Sequence, residues 1–122
     1  MAGIATELVD ALHDHVGDSL RTVGHHSADE WTFDYVRDEL QDAYDEGDLD
    51  AIAEELALNE LESDYQERLY ELGDLGATVR LFDRGSVVHV PTAPATGYLV
   101  SLDDDADVNA RDIIALVHEH DA

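Results

Sequence analysis

A chain of 122 residues fits one domain, 1–122, and is long enough to bury an ordinary core without covalent staples. It has no cysteine, which excludes disulfides, thiolate catalysis and Cys-ligated zinc or iron–sulfur sites. Its 30 Asp and Glu stand against 6 Arg and no Lys, for a net charge of −24, so it lacks both the basic face that nucleic acids require and the lysine of a phosphate loop.

In chain order, Ile4, Leu8, Leu12 and Val16 recur every four residues, with Val9 beside them. They predict a helix over 3–16 with one apolar stripe, ended by Gly17. "LRTVGHH" (20–26) and "EWTFDYV" (30–36) predict two strands joined at 27–29. Trp31, Phe33 and Tyr35 alternate, which places them on one face of a sheet. "RDELQDAY" reads as a short helical piece broken by "DEGDLD" (45–50), where Asp48 can cap a stripe of Leu49, Ile52, Ala53 and Leu56. Ser63 offers the cap of a further helix carrying Tyr65, Leu69 and Leu72 and ended by Gly73. Strands over 77–83 and 86–91 flank Arg84-Gly85, read as a tight hairpin in which glycine supplies a positive φ. A fifth strand covers 97–103, and a last helix starts near Asp107 and carries Val108, Ala110, Ile113, Ile114 and Val117. With no repeat or linker, the order α-β-β-α-α-β-β-β-α predicts an α+β fold, a five-stranded antiparallel sheet with helices packed on it. A strand order of 2-1-5-4-3 pairs both hairpin sets and joins them through central strands.

No stretch approaches the ~20 apolar residues of a membrane span, and "MAGIATELVD" has no signal-peptide character, so a cytoplasmic protein with no membrane association is expected. A lysine-free, carboxylate-rich surface over an ordinary apolar fraction resembles the cytoplasmic proteins of salt-accumulating halophilic archaea. At molar salt the Debye length is about 3 Å, and most of the self-repulsion is screened.

"YVRDEL" together with "YQERLYELGDLGATVRLFDRGSVVHVP" and "TGYLVSLD" resembles an uncharacterised family of small acidic haloarchaeal proteins. The shared features are the step from Tyr35 to Asp38, the turn from Leu69 to Gly73, and the hairpin that follows. The element order is similar to roadblock/LC7 domains of the profilin-like group, from which this chain departs by a split middle helix and an acidic segment at 45–64. That resemblance implies a roadblock-like sandwich, a homodimer and a protein partner, with small GTPases or scaffolds as the partner classes.

Several side-chain clusters invite chemistry. Asp103, Asp105 and Asp107 alternate as in the opening of an EF-hand loop, but its sixth and twelfth positions fall on Val108 and Ile114, not Gly and Glu. A role at the start of the last helix, with Asp107 as its cap, is the better reading. Among the seven histidines, His13 with His15, and His118 with His120, lie too far around a helix to share an ion. His25 and His26 with Asp29 are the best metal-ligand set, since a strand end and a turn can converge. His89, mid-strand between Val88 and Val90, reads as a hydrogen-bonded core residue or part of a ligand pocket. Neither GxSxG, HExxH, GxGxxG nor a phosphate loop occurs, so no catalytic residue and no cofactor is expected. Arg37, Arg80 and Arg84 are the one conceivable basic patch. Trp31, Phe33 and Tyr35, with His89, are the expected interaction or ligand surface.

The sequence therefore points to a non-enzymatic interaction or regulatory module of a halophilic archaeon, acting as a dimer. The alternatives are a small-ligand sensor with a pocket lined by strand 31–35, and a metal-binding protein using His25 and His26.

Overall fold

A computed structural model of the protein describes residues 2–27, 31–40, 51–52, 54–55, 63, 65–93, 96–106 and 109–120. Helix α1 (Ala2–Val16) leads through a 3-10 turn (Gly17–Ser19) into strand β1 (Leu20–His26) and strand β2 (Trp31–Val36). A second 3-10 turn (Asp38–Leu40) follows, and the residues described at 51–55 and 63–70 are helical. Strands β3 (Thr78–Phe82), β4 (Gly85–Ala93) and β5 (Thr96–Asp103) then precede helix α2 (Ala110–His120).

The strands form one antiparallel sheet in the order β2-β1-β5-β4-β3, as the pairing of the hairpin sets predicts. Both α1 and α2 cover a single face of it. Leu8 and Leu12 from α1, and Ile113 and Val117 from α2, meet Leu20, Val23, Val88, Val90, Val100 and Leu102 of β1, β4 and β5. On α1, α2, β4 and β5 these positions follow helical or alternating spacing, whereas Leu20 and Val23, three apart, share the face because β1 is irregular between Leu20 and Thr22. Gly17, at φ +63°, stops α1, a conformation that costs glycine little.

Several local expectations change. The sequence predicts a helical piece at 37–44; Asp38–Leu40 form a 3-10 turn, and 41–44 lie outside the described residues. So do Asp48, Leu49, Ala53, Leu56 and the expected break between two middle helices. Ser63, read as a cap, is itself helical, while Tyr65, Leu69 and Leu72 are exposed and so do not supply a core stripe. The β3–β4 turn is Asp83-Arg84, and Gly85 opens β4 without a positive φ. Gly85 is required by closeness instead, because a Cβ there would lie 2.5 Å from the backbone oxygen of Leu102 on β5. Finally, Asp107 is outside the described residues; the cap that is described is Asn109, whose Oδ1 accepts the Arg111 backbone N–H at 2.9 Å.

Candidate functional site

The face of the sheet opposite α1 and α2 carries a cavity of about 220 Å³. Trp31 and Phe33 of β2 form an aromatic wall, with ring centroids 5.6 Å apart and planes near perpendicular. Thr22, Leu99, Ser101, Val87, His89, Thr78, Arg80 and Phe82 complete the sheet side, and Ile52 and Glu55 lie across from it. Arg80 pairs with Glu55 over this space. Gly24 makes room for the wall, since a Cβ there would sit 2.6 Å from Trp31 Cζ2. Trp31 Nε1 is buried without a hydrogen-bond partner among the described residues. Thr22 Oγ1 and Ser101 Oγ share one hydrogen bond at 2.5 Å.

Tyr35 does not join this wall. The β1–β2 register pairs Val23 with Tyr35 and Gly24 with Phe33, which leaves Asp34 as an extra, bulged residue. The bulge reverses the alternation, so Tyr35 faces the helices and meets the His13 ring edge-on at 4.5 Å. The expectation that Trp31, Phe33 and Tyr35 share a face fails for this reason. Burial pushes the Tyr35 hydroxyl's pKa up, with the nearby Arg37 charge opposing.

The metal set separates in the same way. His25 points to the helix face, where Nδ1 lies 2.8 and 3.0 Å from the Asp34 carboxylate oxygens. Its neighbour His26 points to the other face, where Nε2 is 3.1 Å from Nε2 of His89. Consecutive strand residues alternate, so His25 and His26 cannot converge. Asp29 lies outside the described residues. Among the described residues no group of three or more His, Asp or Glu gathers around one point. What sequence reasoning missed is the His26–His89 pairing; the available signal was strand order, because 2-1-5-4-3 leaves a single strand between the end of strand one and the middle of strand four.

The acidic run that resembles a calcium loop holds the sheet's far end together. Arg37 grips Asp103 with two hydrogen bonds of 2.6 and 3.1 Å, Arg21 reaches the same carboxylate at 3.3 Å, and Ser19 Oγ donates to Asp105 at 3.1 Å. Arg37 also donates to the Asp18 carbonyl at 2.9 Å and pairs with Glu39. Arg37 follows β2 and Arg80 lies on β3, at opposite edges of the sheet, and each is already paired; the conceivable basic patch does not form.

The Arg37 hydrogen bonds hold the Asp103 carboxyl below the usual carboxylate range, with burial opposing and Arg21 assisting. The folded state then binds fewer protons than the unfolded one. The clamp contributes fully above the usual carboxylate range and is lost as pH falls through the lowered folded value. Thermal melts in molar KCl between pH 7 and pH 3 are expected to show a drop on acidification that is shallower in Asp103→Asn. Parallel curves for the two proteins would show that the clamp does not contribute.

Comparison with solved structures places this architecture. Myxococcus xanthus MglB matches at a TM-score of 0.70 and 11% identity, covering 98% of this chain and 85% of that one. The gliding protein MglB of Thermus thermophilus matches at 0.64 and 12% identity over 96% and 90%. A roadblock/LC7 domain from Streptomyces avermitilis matches at 0.61 and 17% identity over 98% and 90%. The fold is therefore that of the roadblock/LC7 domains. A search of curated proteins gives no match. Residues 6–121 match the model of DUF7522, a domain of unknown function, and the chain belongs to that family.

Proposed function

We propose that the protein is a non-enzymatic interaction or regulatory module of a halophilic archaeon, cytoplasmic, built as one domain over 1–122 and acting as a homodimer. The observation that carries the reading is the open β3 edge. Of the two edge strands, β2 is blunted by its bulge at Asp34, whereas β3 pairs with β4 without irregularity and carries Val79, Leu81 and Phe82 exposed. Leu81 is 83% exposed, and Leu72, in the segment leading into β3, is 87% exposed. An apolar edge that pairs with no other described strand is self-complementary about a two-fold axis, so a second copy of the chain is the partner it fits. One structural neighbour is described as MglB with a tetrameric arrangement, which supports association as a use of this fold. The acidic, lysine-free composition supports the halophilic origin, and none of the described helices is long and apolar enough to cross a membrane. Nucleic-acid binding is not expected of this surface.

Sedimentation at tens of micromolar in molar KCl is expected to give a dimer for the wild type and a monomer for Leu81→Asp. Because Leu81 is exposed, its replacement leaves the monomer's core intact, and circular dichroism checks this. A wild type that sediments only as monomer removes the dimer; an unchanged dimer in Leu81→Asp moves it off this edge.

A second reading is favoured by the cavity. Trp31 and Phe33, with His89, form a pocket suited to a small planar ligand, and the unpartnered Trp31 Nε1 supplies a donor for it. Tyr35 is not part of that pocket.

A further inference from the structure

The cavity face holds a pairing of two histidines that dimerisation does not use. His26, near the end of β1, and His89, in the middle of β4, are both nearly buried, and their Nε2 atoms stand 3.1 Å apart. They reach each other across β5 at Gly97. A Cβ on Gly97 would lie 3.2 Å from His26 Nε2, so the missing side chain leaves the imidazoles space to meet. Trp31 stacks beside the His26 ring at 6.5 Å with planes 19° apart and fixes its orientation.

We propose that His26 and His89 form a two-histidine site for a borderline divalent first-row metal, Zn(II), Ni(II) or Cu(II), whose other coordination positions are taken by water or an external ligand. Imidazole nitrogen is the ligand type these ions share. With metal–nitrogen bonds of about 2.0–2.1 Å, two nitrogens 3.1 Å apart subtend roughly 100° at the ion. That angle lies between the tetragonal and tetrahedral ideals; the ring centroids, 5.3 Å apart, set the two nitrogens nearly head-on, so each ring must swing for its lone pair to meet the ion. Without metal, the same spacing is held by one Nε2–H donating to the other Nε2. Metal entry requires the donor ring to carry its proton on Nδ1 instead, and no group is oxidised or reduced. His89 lines the 220 Å³ cavity, which has room for the water that completes the coordination. His25 is excluded, because it faces the helices and bonds Asp34.

The test uses the full chain in molar KCl with millimolar Mg(II), so that weak association with the many carboxylates is saturated. One equivalent of Cu(II) is added and the electron paramagnetic resonance spectrum recorded. Coupling to two imidazole nitrogens is expected in the wild type and in His25→Gln, falling to one in His26→Gln and in His89→Gln. Zn(II) titration by calorimetry is expected to give one site per chain, weakened about tenfold or more in either variant. A wild-type spectrum with oxygen ligands only, or two-nitrogen coupling that survives in both variants, overturns the proposal. A wild-type spectrum without two-nitrogen coupling overturns the proposal even where a variant fails to fold.

Discussion

Gly97→Ala is expected to unfold at a markedly lower denaturant concentration than the wild type. An alanine Cβ would lie 2.7 Å from the Val90 backbone oxygen and 2.9 Å from Pro91 Cα. Both atoms belong to the β4 backbone, which cannot swing aside as a flexible side chain can. Overpacking costs typically about 1–3 kcal/mol, and a clash with the backbone of a central strand belongs at the upper end. The same methyl would crowd His26 Nε2 and disturb the imidazole pair. Gly76→Ala is the control, since a Cβ there meets nothing within 4 Å and Gly76 has no positive φ. That substitution is expected to be neutral or to stabilise by up to roughly 1 kcal/mol, through the unfolded chain. Equal unfolding midpoints for the two variants would show that the β4–β5 approach is looser than the structure has it.

Leu12→Ala is expected to have the larger effect. Leu12 is fully buried in the cluster where α1 and α2 meet the sheet, so its loss leaves a cavity there. Leucine-to-alanine changes at such positions cost about 2–5 kcal/mol, a third or more of the stability of many domains. Here the charge multiplies the consequence. With a net charge of −24, lowering the salt removes screening and adds self-repulsion to the lost packing. Leu12→Ala should therefore require a higher KCl concentration to fold than the wild type, as read by far-ultraviolet circular dichroism along a KCl titration. A KCl midpoint unchanged by the substitution would show that salt, not packing, limits folding at every concentration.

Strand positions and most of the helix-face core were legible from periodicity, and strand order from the pairing of the two hairpin sets. Leu8 and Leu12 repeat every four residues, and Val88, Val90, Val100 and Leu102 alternate, whatever their surroundings. Other features were not legible, each for a physical reason. The bulge at Asp34 is a matter of register between two strands, and alternation within "WTFDYV" carries no trace of it. The His26–His89 pair joins residues 63 positions apart, which only the sheet order brings together. The role of Asp103 depends on Arg37 and Arg21 arriving from neighbouring strand ends; by itself an acidic run looks alike whether it binds cations or arginines. The turn after β3 falls one residue earlier than the sequence suggests, because a glycine can serve close approach as well as a positive φ, and sequence does not distinguish the two.

The extra residue at Asp34 also gives β2 a parity. Before it, odd-numbered side chains look into the cavity; after it, odd-numbered side chains look to the helices. One six-residue strand thus serves both layers, with Trp31 and Phe33 committed to one and Tyr35 to the other. Lengthening β2 by two residues at either end would preserve this division. Removing Asp34 alone would leave Phe33 and Tyr35 consecutive, opposite Gly24 and Val23, and so still on opposite faces of a regular strand; what it would remove is the Asp34 carboxylate that holds His25. The division between the layers is thus written in the pairing of Phe33 with Gly24 and Tyr35 with Val23, and Asp34 is the one residue between Trp31 and Tyr35 whose loss leaves it intact.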